Sequence, residues 1–239
     1  MNTMKVEIWS DIMCPFCYIG KRNFEQALLK FADKDKIEVE WKSFQLDPSI
    51  PDRPDHQGDV YKYVADRKGL SYEHSKRMHD DVTQMAKDAG LEYNFDKVLI
   101  TNSLKSHKLI QFAKTKGLGD AAEERLFLAY FTQGKNLNDN AVLLELGMDI
   151  GLTAAEVNEA MTNPLYAHKV AVEVNEAQAL GVRGVPFFVI DRKYGVSGAQ
   201  KPDVMLGAIG KAYEEWKKST EGLLEIQEGA VCTPDGDCN

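Results

Sequence analysis

The chain has 239 residues, 44% of them hydrophobic and 28% charged, the proportions of a soluble globular protein with room for one elaborated domain or two. Its net charge of −8 argues against nucleic acid as a partner, because phosphate binding needs a basic face. No apolar run approaches the roughly 18–20 residues of a membrane span, and Met1-Asn2-Thr3-Met4-Lys5 lacks the basic and apolar regions of a secretory signal, so the expected location is cytoplasmic.

Residues 4–10 (MKVEIWS) alternate apolar and polar side chains and predict a strand. Pro15 then stands where a first helical turn tolerates its missing N–H, and Ile19, Phe24, Ala27, Leu28 and Phe31 follow at helical spacing. Residues 37–46 (IEVEWKSFQL) alternate again, giving strand–helix–strand, the parallel βαβ unit. From 52 to 180 the texture is helical, with candidates at 58–68, 71–89, 102–116, 119–133, 138–150, 153–162 and 164–180. Gly69, Gly90, Gly117, Gly134 and Gly151 fall near their expected ends. Strand texture returns in VPFFVIDRKYGVSG, read as strands 186–190 and 194–197 around a tight Asp191-Arg192 turn. A last helix spans about 202–219, and the tail beyond it carries two cysteines among small and acidic residues.

The four cysteines form two close pairs, Cys14/Cys17 and Cys232/Cys238, at opposite ends of the chain. Four is too few for a disulfide scaffold, and in a reducing compartment such pairs point to redox chemistry or metal. Spacing alone is weak evidence; location adds to it. Cys14-Pro15-Phe16-Cys17 follows a strand and opens a helix, so Cys14 falls at the N-cap, where free N–H groups favour a thiolate. Cys17, one turn further in, is close enough to bond to it and less exposed: the first attacks and the second resolves. Far along the chain, Gly184-Val185-Pro186-Phe187-Phe188 puts a proline at the head of an apolar strand, a candidate cis peptide. Such a turn beside a reactive cysteine leaves the Val185 backbone free to pair with an extended substrate. Phe16, between the cysteines, is expected to be exposed and to form an apolar lip for substrate.

SDIMCPFCYIGKRNFEQAL, an all-helical insertion and then GVRGVPFFVIDRKYGVSGAQ together resemble the DsbA-like, thioredoxin-fold oxidoreductases of the FrnE type. The resemblance covers nearly the whole chain. It implies an α/β thioredoxin fold (1–51 and 181–220) interrupted by an all-helical insertion domain (52–180), with a short C-terminal tail (221–239). It also implies Cys14 as nucleophile, Cys17 as resolving thiol and Pro186 as the cis-proline facing them. Asn102-Ser103-Leu104-Lys105-Ser106-His107 is similar to a family segment near the cleft, and no catalytic role is assigned to it. The expected activity is thiol–disulfide exchange on protein or small-molecule thiols, with no resident cofactor or metal and with glutathione as a candidate co-substrate. The expected assembly is a monomer or homodimer.

The same architecture is shared by kappa-class glutathione transferases and 2-hydroxychromene-2-carboxylate isomerases, which usually have serine at the first position and lack the second cysteine. A glutathione-dependent transferase or isomerase is therefore the alternative, and the presence of both thiols counts against it. Cys232 and Cys238 enclose the turn sequence Thr-Pro-Asp-Gly-Asp. They read either as a shuttle pair exchanging with Cys14–Cys17 or as an incidental bridge. A zinc site of all four cysteines is the minority reading, since Cys14–Cys17 opens a helix instead of a knuckle. His74 and His79 point to different helix faces. His56, His107 and His168 read as surface or packing residues, and the pairs Asp80-Asp81 and Glu123-Glu124 read as solvated helix faces. Trp9, Trp41, Phe187 and Phe188 read as core.

Overall fold

The computed structural model describes residues 2–53 and 58–221; Cys232, Cys238 and His56 lie outside them. Strand β1 (Met4–Ser10) leads into helix α1 (Pro15–Lys30), and β2 (Ile37–Ser43) returns parallel to β1. Seven α-helices follow among the described residues: α2 (Val60–Lys68), α3 (Tyr72–Asp88), α4 (Leu104–Lys114), α5 (Gly119–Phe127), α6 (Asn140–Asp149), α7 (Ala154–Thr162) and α8 (Pro164–Ala179). The chain then returns to the sheet with β3 (Phe187–Ile190) and β4 (Tyr194–Ser197), and closes on α9 (Pro202–Glu221). The sheet order is β2-β1-β3-β4, with β3 antiparallel to both its neighbours. This α/β layout with helices inserted between β2 and β3 is the one the resemblance implied.

Strand periodicity sends alternate residues to opposite faces, and both faces of β1 are covered. Met4, Val6 and Ile8 meet Phe24 and Ala27 of α1 and Met205, Ile209 and Ala212 of α9. Trp9, on the other face, packs with Ala177 of α8, Val182 and Val189, and its indole N–H donates to the Glu173 carbonyl at 2.9 Å. Trp41 and Phe188 are core as expected, whereas Phe187 is only half-buried. Asp191 and Arg192 both take positive φ, 50° and 53°, and with Lys193, whose N–H donates to the Ile190 carbonyl at 3.0 Å, they form the three-residue loop between β3 and β4.

The helical part has its own core, including Leu109, Phe112, Leu126, Phe127, Phe131 and Leu146. Five of its helices, α2, α3, α6, α7 and α8, start on side-chain caps, among them Asp59, Ser71 and Thr153, the last in a reciprocal capping box with Glu156. The segment 119–133 differs from its expectation. The α-helix stops at Phe127 and continues as a π turn over Leu128–Thr132. Leu126, Phe127, Ala129, Tyr130 and Phe131 are buried with Leu128 half-buried between them, an apolar run broader than one face of a 3.6-residue helix, and the chain passes through it as the wider turn. Helix α1 serves both cores: Cys14, at its N-cap, with Cys17, Tyr18 and Ile19 packs into the helical core, and Phe24 and Ala27 into the sheet core.

Candidate active site

Where β1 ends, the chain turns so that the Cys14 N–H donates to the Asp11 carbonyl at 2.9 Å, and the Cys17 N–H donates to the Cys14 carbonyl at 3.0 Å. Cys14 is the N-cap of α1, with extended backbone (φ −88°, ψ 111°), and Pro15 follows at the first helical position. Both cysteines are free thiols. Cys14 is 4% exposed and Cys17 is 0% exposed. Burial pushes the Cys17 thiol well above its ordinary pKa and neighbouring Cys14 adds to this, while the Asp11 backbone and the Ser10 hydroxyl pull the other way.

The Val185–Pro186 peptide is cis, and the Cys14 thiol donates to the Val185 carbonyl at 3.3 Å. Pro186 can come this close to α1 because position 20 is glycine: a Cβ there would stand 2.9 Å from Pro186 Cγ. Phe16 is 38% exposed beside the two buried sulfurs. The structure thus brings Cys14, Cys17, Val185 and Pro186 together, with Phe16 at the surface next to them. Cys232 and Cys238 lie outside the described residues.

The helical part supplies groups that the sequence reading passed over. Tyr93 donates its hydroxyl to the Pro15 carbonyl at 2.6 Å, holding the first turn of α1 from the insertion side. Its ring stacks on Phe131 at 4.6 Å. Burial pushes its phenol well up, and the two cysteines add to the effect.

Two readings need correction. Glu123 is no solvated residue: it is 0% exposed, and only the Asp80-Asp81 pair is exposed as expected. Glu123 precedes Leu126 and Phe127 by three and four residues, which puts it on the apolar face of α5; that spacing was the signal available. Its neighbour Glu124 is half-buried and bonds to Tyr18 and Arg22 of α1. Lys21 of α1, 2% exposed, lies 3.0 Å from Asp120 and 3.4 Å from Glu124, a buried cation no periodicity argument would have chosen. His107 is fully buried, its Nε2 3.5 Å from Oδ1 of Asp11, so it is more than a packing histidine. His79 is one: it is buried against Tyr61 and Phe95, with its Nδ1 2.7 Å from the Ser75 carbonyl.

Among the described residues, no group of three or more His, Cys, Asp or Glu is placed to hold a metal ion, and no helix is long and apolar enough to cross a membrane.

Against this geometry stand three likenesses and a family model. The model for the DSBA-like thioredoxin domain matches residues 5–210. The chain is similar to YwbO of Bacillus subtilis, 29% identical over 218 residues that cover 90% of this chain and 99% of the relative. It is similar to the crystal structure of a probable DsbA oxidoreductase from Streptomyces coelicolor, with 36% identity, a TM-score of 0.84, and coverage of 99% of this chain and 98% of that one. The fold also matches the cytosolic disulfide reductase DsbM from Pseudomonas aeruginosa at 18% identity and a TM-score of 0.61, covering 91% of this chain and 98% of that one.

Proposed function

This chain belongs to the DSBA-like thioredoxin domain family, and from that membership we propose that it is a thiol–disulfide oxidoreductase of the oxidase or isomerase kind, working through Cys14 and Cys17. The observation that carries the reading is the Cys14 sulfur at the N-cap of α1, 3.3 Å from the Val185 carbonyl and one helical turn from buried Cys17. A sulfur at a helix N-terminus with a second thiol behind it is equipped for exchange.

In the oxidising direction a substrate thiolate attacks the Cys14 sulfur of the Cys14–Cys17 disulfide. The S–S bond breaks, Cys17 leaves as a thiolate and takes up a proton, and a mixed disulfide remains on Cys14. A second substrate thiolate attacks the substrate sulfur of that bond and releases Cys14, so two electrons have passed from the substrate to the protein. In the reducing direction Cys14 attacks a substrate disulfide, and Cys17 must lose its proton before it can attack Cys14. Burial that holds Cys17 as a thiol slows that resolving step. The same buried thiolate is the leaving group of the oxidising step and slows it as well, whereas isomerisation, in which Cys17 stays out of the reaction, is not slowed.

The substrates are thiols or disulfides, in proteins or small molecules. The Val185 backbone pairs with an extended substrate segment, Pro186 shapes that turn, and Phe16 supplies the apolar lip. Within the family the FrnE-type reading rests on CPFC, GVPFF and the helical insertion between them. The location is proposed to be cytoplasmic, where glutathione is the available co-substrate, and Cys232–Cys238 is proposed to exchange with the active pair.

A glutathione redox titration tests this, with free thiols trapped by alkylation and located by peptide mass. The expected outcome is a reversible Cys14–Cys17 disulfide with a midpoint between about −270 mV and about −120 mV, and a tail disulfide that is lost as the active pair reoxidises. A persistent Cys14–glutathione adduct, with Cys17 never pairing, would overturn the reading in favour of a glutathione-dependent transferase or isomerase.

A further inference from the structure

Behind the two cysteines lies a set of buried ionisable groups that the exchange reaction, as written above, does not use. Asp11, His107 and Glu123 are each 0% exposed. They come from three parts of the chain: the turn after β1, helix α4 and helix α5. The Asp11 carboxylate ties that turn down on two sides, accepting from the Met13 N–H at 3.2 Å and from the Leu46 N–H at 2.7 Å. The Asp11 carbonyl receives the Cys14 N–H, and the Asp11 backbone lowers the Cys17 thiol pKa against the effect of burial. A negative charge at this place opposes the formation of a thiolate, and a carboxylate wholly removed from water needs a compensating cation.

The cation at hand is His107, with Nε2 3.5 Å from Asp11 Oδ1. Burial works against the imidazolium, yet the Asp11 carboxylate outweighs it, helped by Glu123 and the Phe44 backbone, and the His107 pKa is raised. Glu123 has both carboxyl oxygens unpartnered. Burial lifts its pKa to about 7, against the pull of His107 from α4 and Lys21 from α1 and with a push from Asp120 and Asp11. Below about pH 7 Glu123 holds its proton and leaves His107 to compensate Asp11.

We propose that His107, contributed by the helical insertion, is a positioning residue for thiol exchange: its charge cancels that of Asp11, and the turn can then carry the Cys14 thiolate. The assignment rests on the exchange reading above. It requires no contact between His107 and either sulfur, since the effect passes through Asp11.

The test uses the full chain carrying His107→Gln, and the double variant His107→Gln with Asp11→Asn. Two readouts are taken at pH 7: the rate at which iodoacetamide captures Cys14 in the reduced protein, and the Cys14–Cys17 equilibrium with glutathione. Removing the cation is expected to slow capture by about tenfold and to shift the equilibrium toward the disulfide by a similar factor. Removing the carboxylate as well is expected to restore both to within about twofold, as a double-mutant cycle on a coupled pair should. A His107→Gln protein that melts earlier with both readouts unchanged would make His107 merely structural and overturn the proposal. So would a double variant that fails to restore them.

Should His107→Gln not fold, nitrogen NMR of the His107 ring in the wild-type chain decides. By reciprocity its titration midpoint must lie higher in the reduced protein at a pH where Cys14 is a thiolate than in the disulfide form, and equal midpoints overturn the proposal. Failure of the exchange reading would look different: the wild-type chain itself would form no Cys14–Cys17 couple with glutathione.

Discussion

At the scale of single residues, the buried carboxyl of Glu123 makes a pH prediction with a definite sign. Burial raises its pKa from 4.5 to about 7 in the folded chain, so between those values the native state holds a proton that the unfolded state has released. Stability therefore falls as pH rises from about 4.5 to about 7, by on the order of 3 kcal/mol for this group. Glu123→Gln should flatten that slope, measured as urea midpoints at pH 5 and pH 7.5; an unchanged slope would assign the effect elsewhere. Legibility at this scale was uneven. Cys14, Cys17 and Pro186 announce themselves because their residue types at those positions have few other uses. Asp11, Tyr93 and His107 do not, since what matters is which backbone group or charge they meet across the two parts of the molecule, and a single sequence carries no record of such pairings.

Among the elements, the approach of α1 to the β3 turn is set by Gly20. A methyl there would stand 2.9 Å from the ring of Pro186, and a proline ring held in a turn cannot swing aside as a long side chain would. Overpacking costs about 1–3 kcal/mol, and alanine in a helix interior recovers up to about 1 kcal/mol relative to glycine. Gly20→Ala is thus expected to lower stability by less than about 2 kcal/mol in denaturant unfolding. Exchange with a model disulfide should slow by about tenfold, because Val185 moves off the 3.3 Å contact with Cys14. Equal rates would show that this spacing does not matter. Most elements were legible from periodicity: 4–10 and 194–197 match their strands residue for residue, and the helices of the insertion differ at their ends by no more than about two residues, except α5, which stops at Phe127 where the π turn begins. The π turn was not, because its cause is an apolar run too dense for one helix face, visible only once the core that receives it exists.

For the molecule as a whole, α1 binds the two cores into one structure. Its N-terminal half and the Cys14 cap belong to the helical core and its C-terminal half to the sheet core, while Lys21 reaches from α1 to Asp120 and Glu124 of α5. Neither core can lose its packing without releasing a helix that the other needs. Calorimetry of the reduced chain should therefore give one transition whose calorimetric and van't Hoff enthalpies agree; two resolved peaks would mean the cores melt independently. The layout at this scale was legible because strand texture stops near 46 and resumes near 186. The meeting of the two parts was not, since it depends on contacts between segments far apart in the chain.

The sheet order has a consequence for how the protein is made. Val6 pairs with Ile190, so β1 leaves the ribosome well before the inner neighbour it pairs with. At 5–20 residues per second, the roughly 140 residues between β2 and β3 take on the order of 10 s to synthesise. Throughout that interval one edge of β1 has no strand beside it, and an uncovered edge is a template for pairing with another nascent chain. Newly made chains are safest where β1 stays sequestered until its partner arrives, and a truncation ending before Phe187 should accumulate as aggregate even though every helix of the insertion is present.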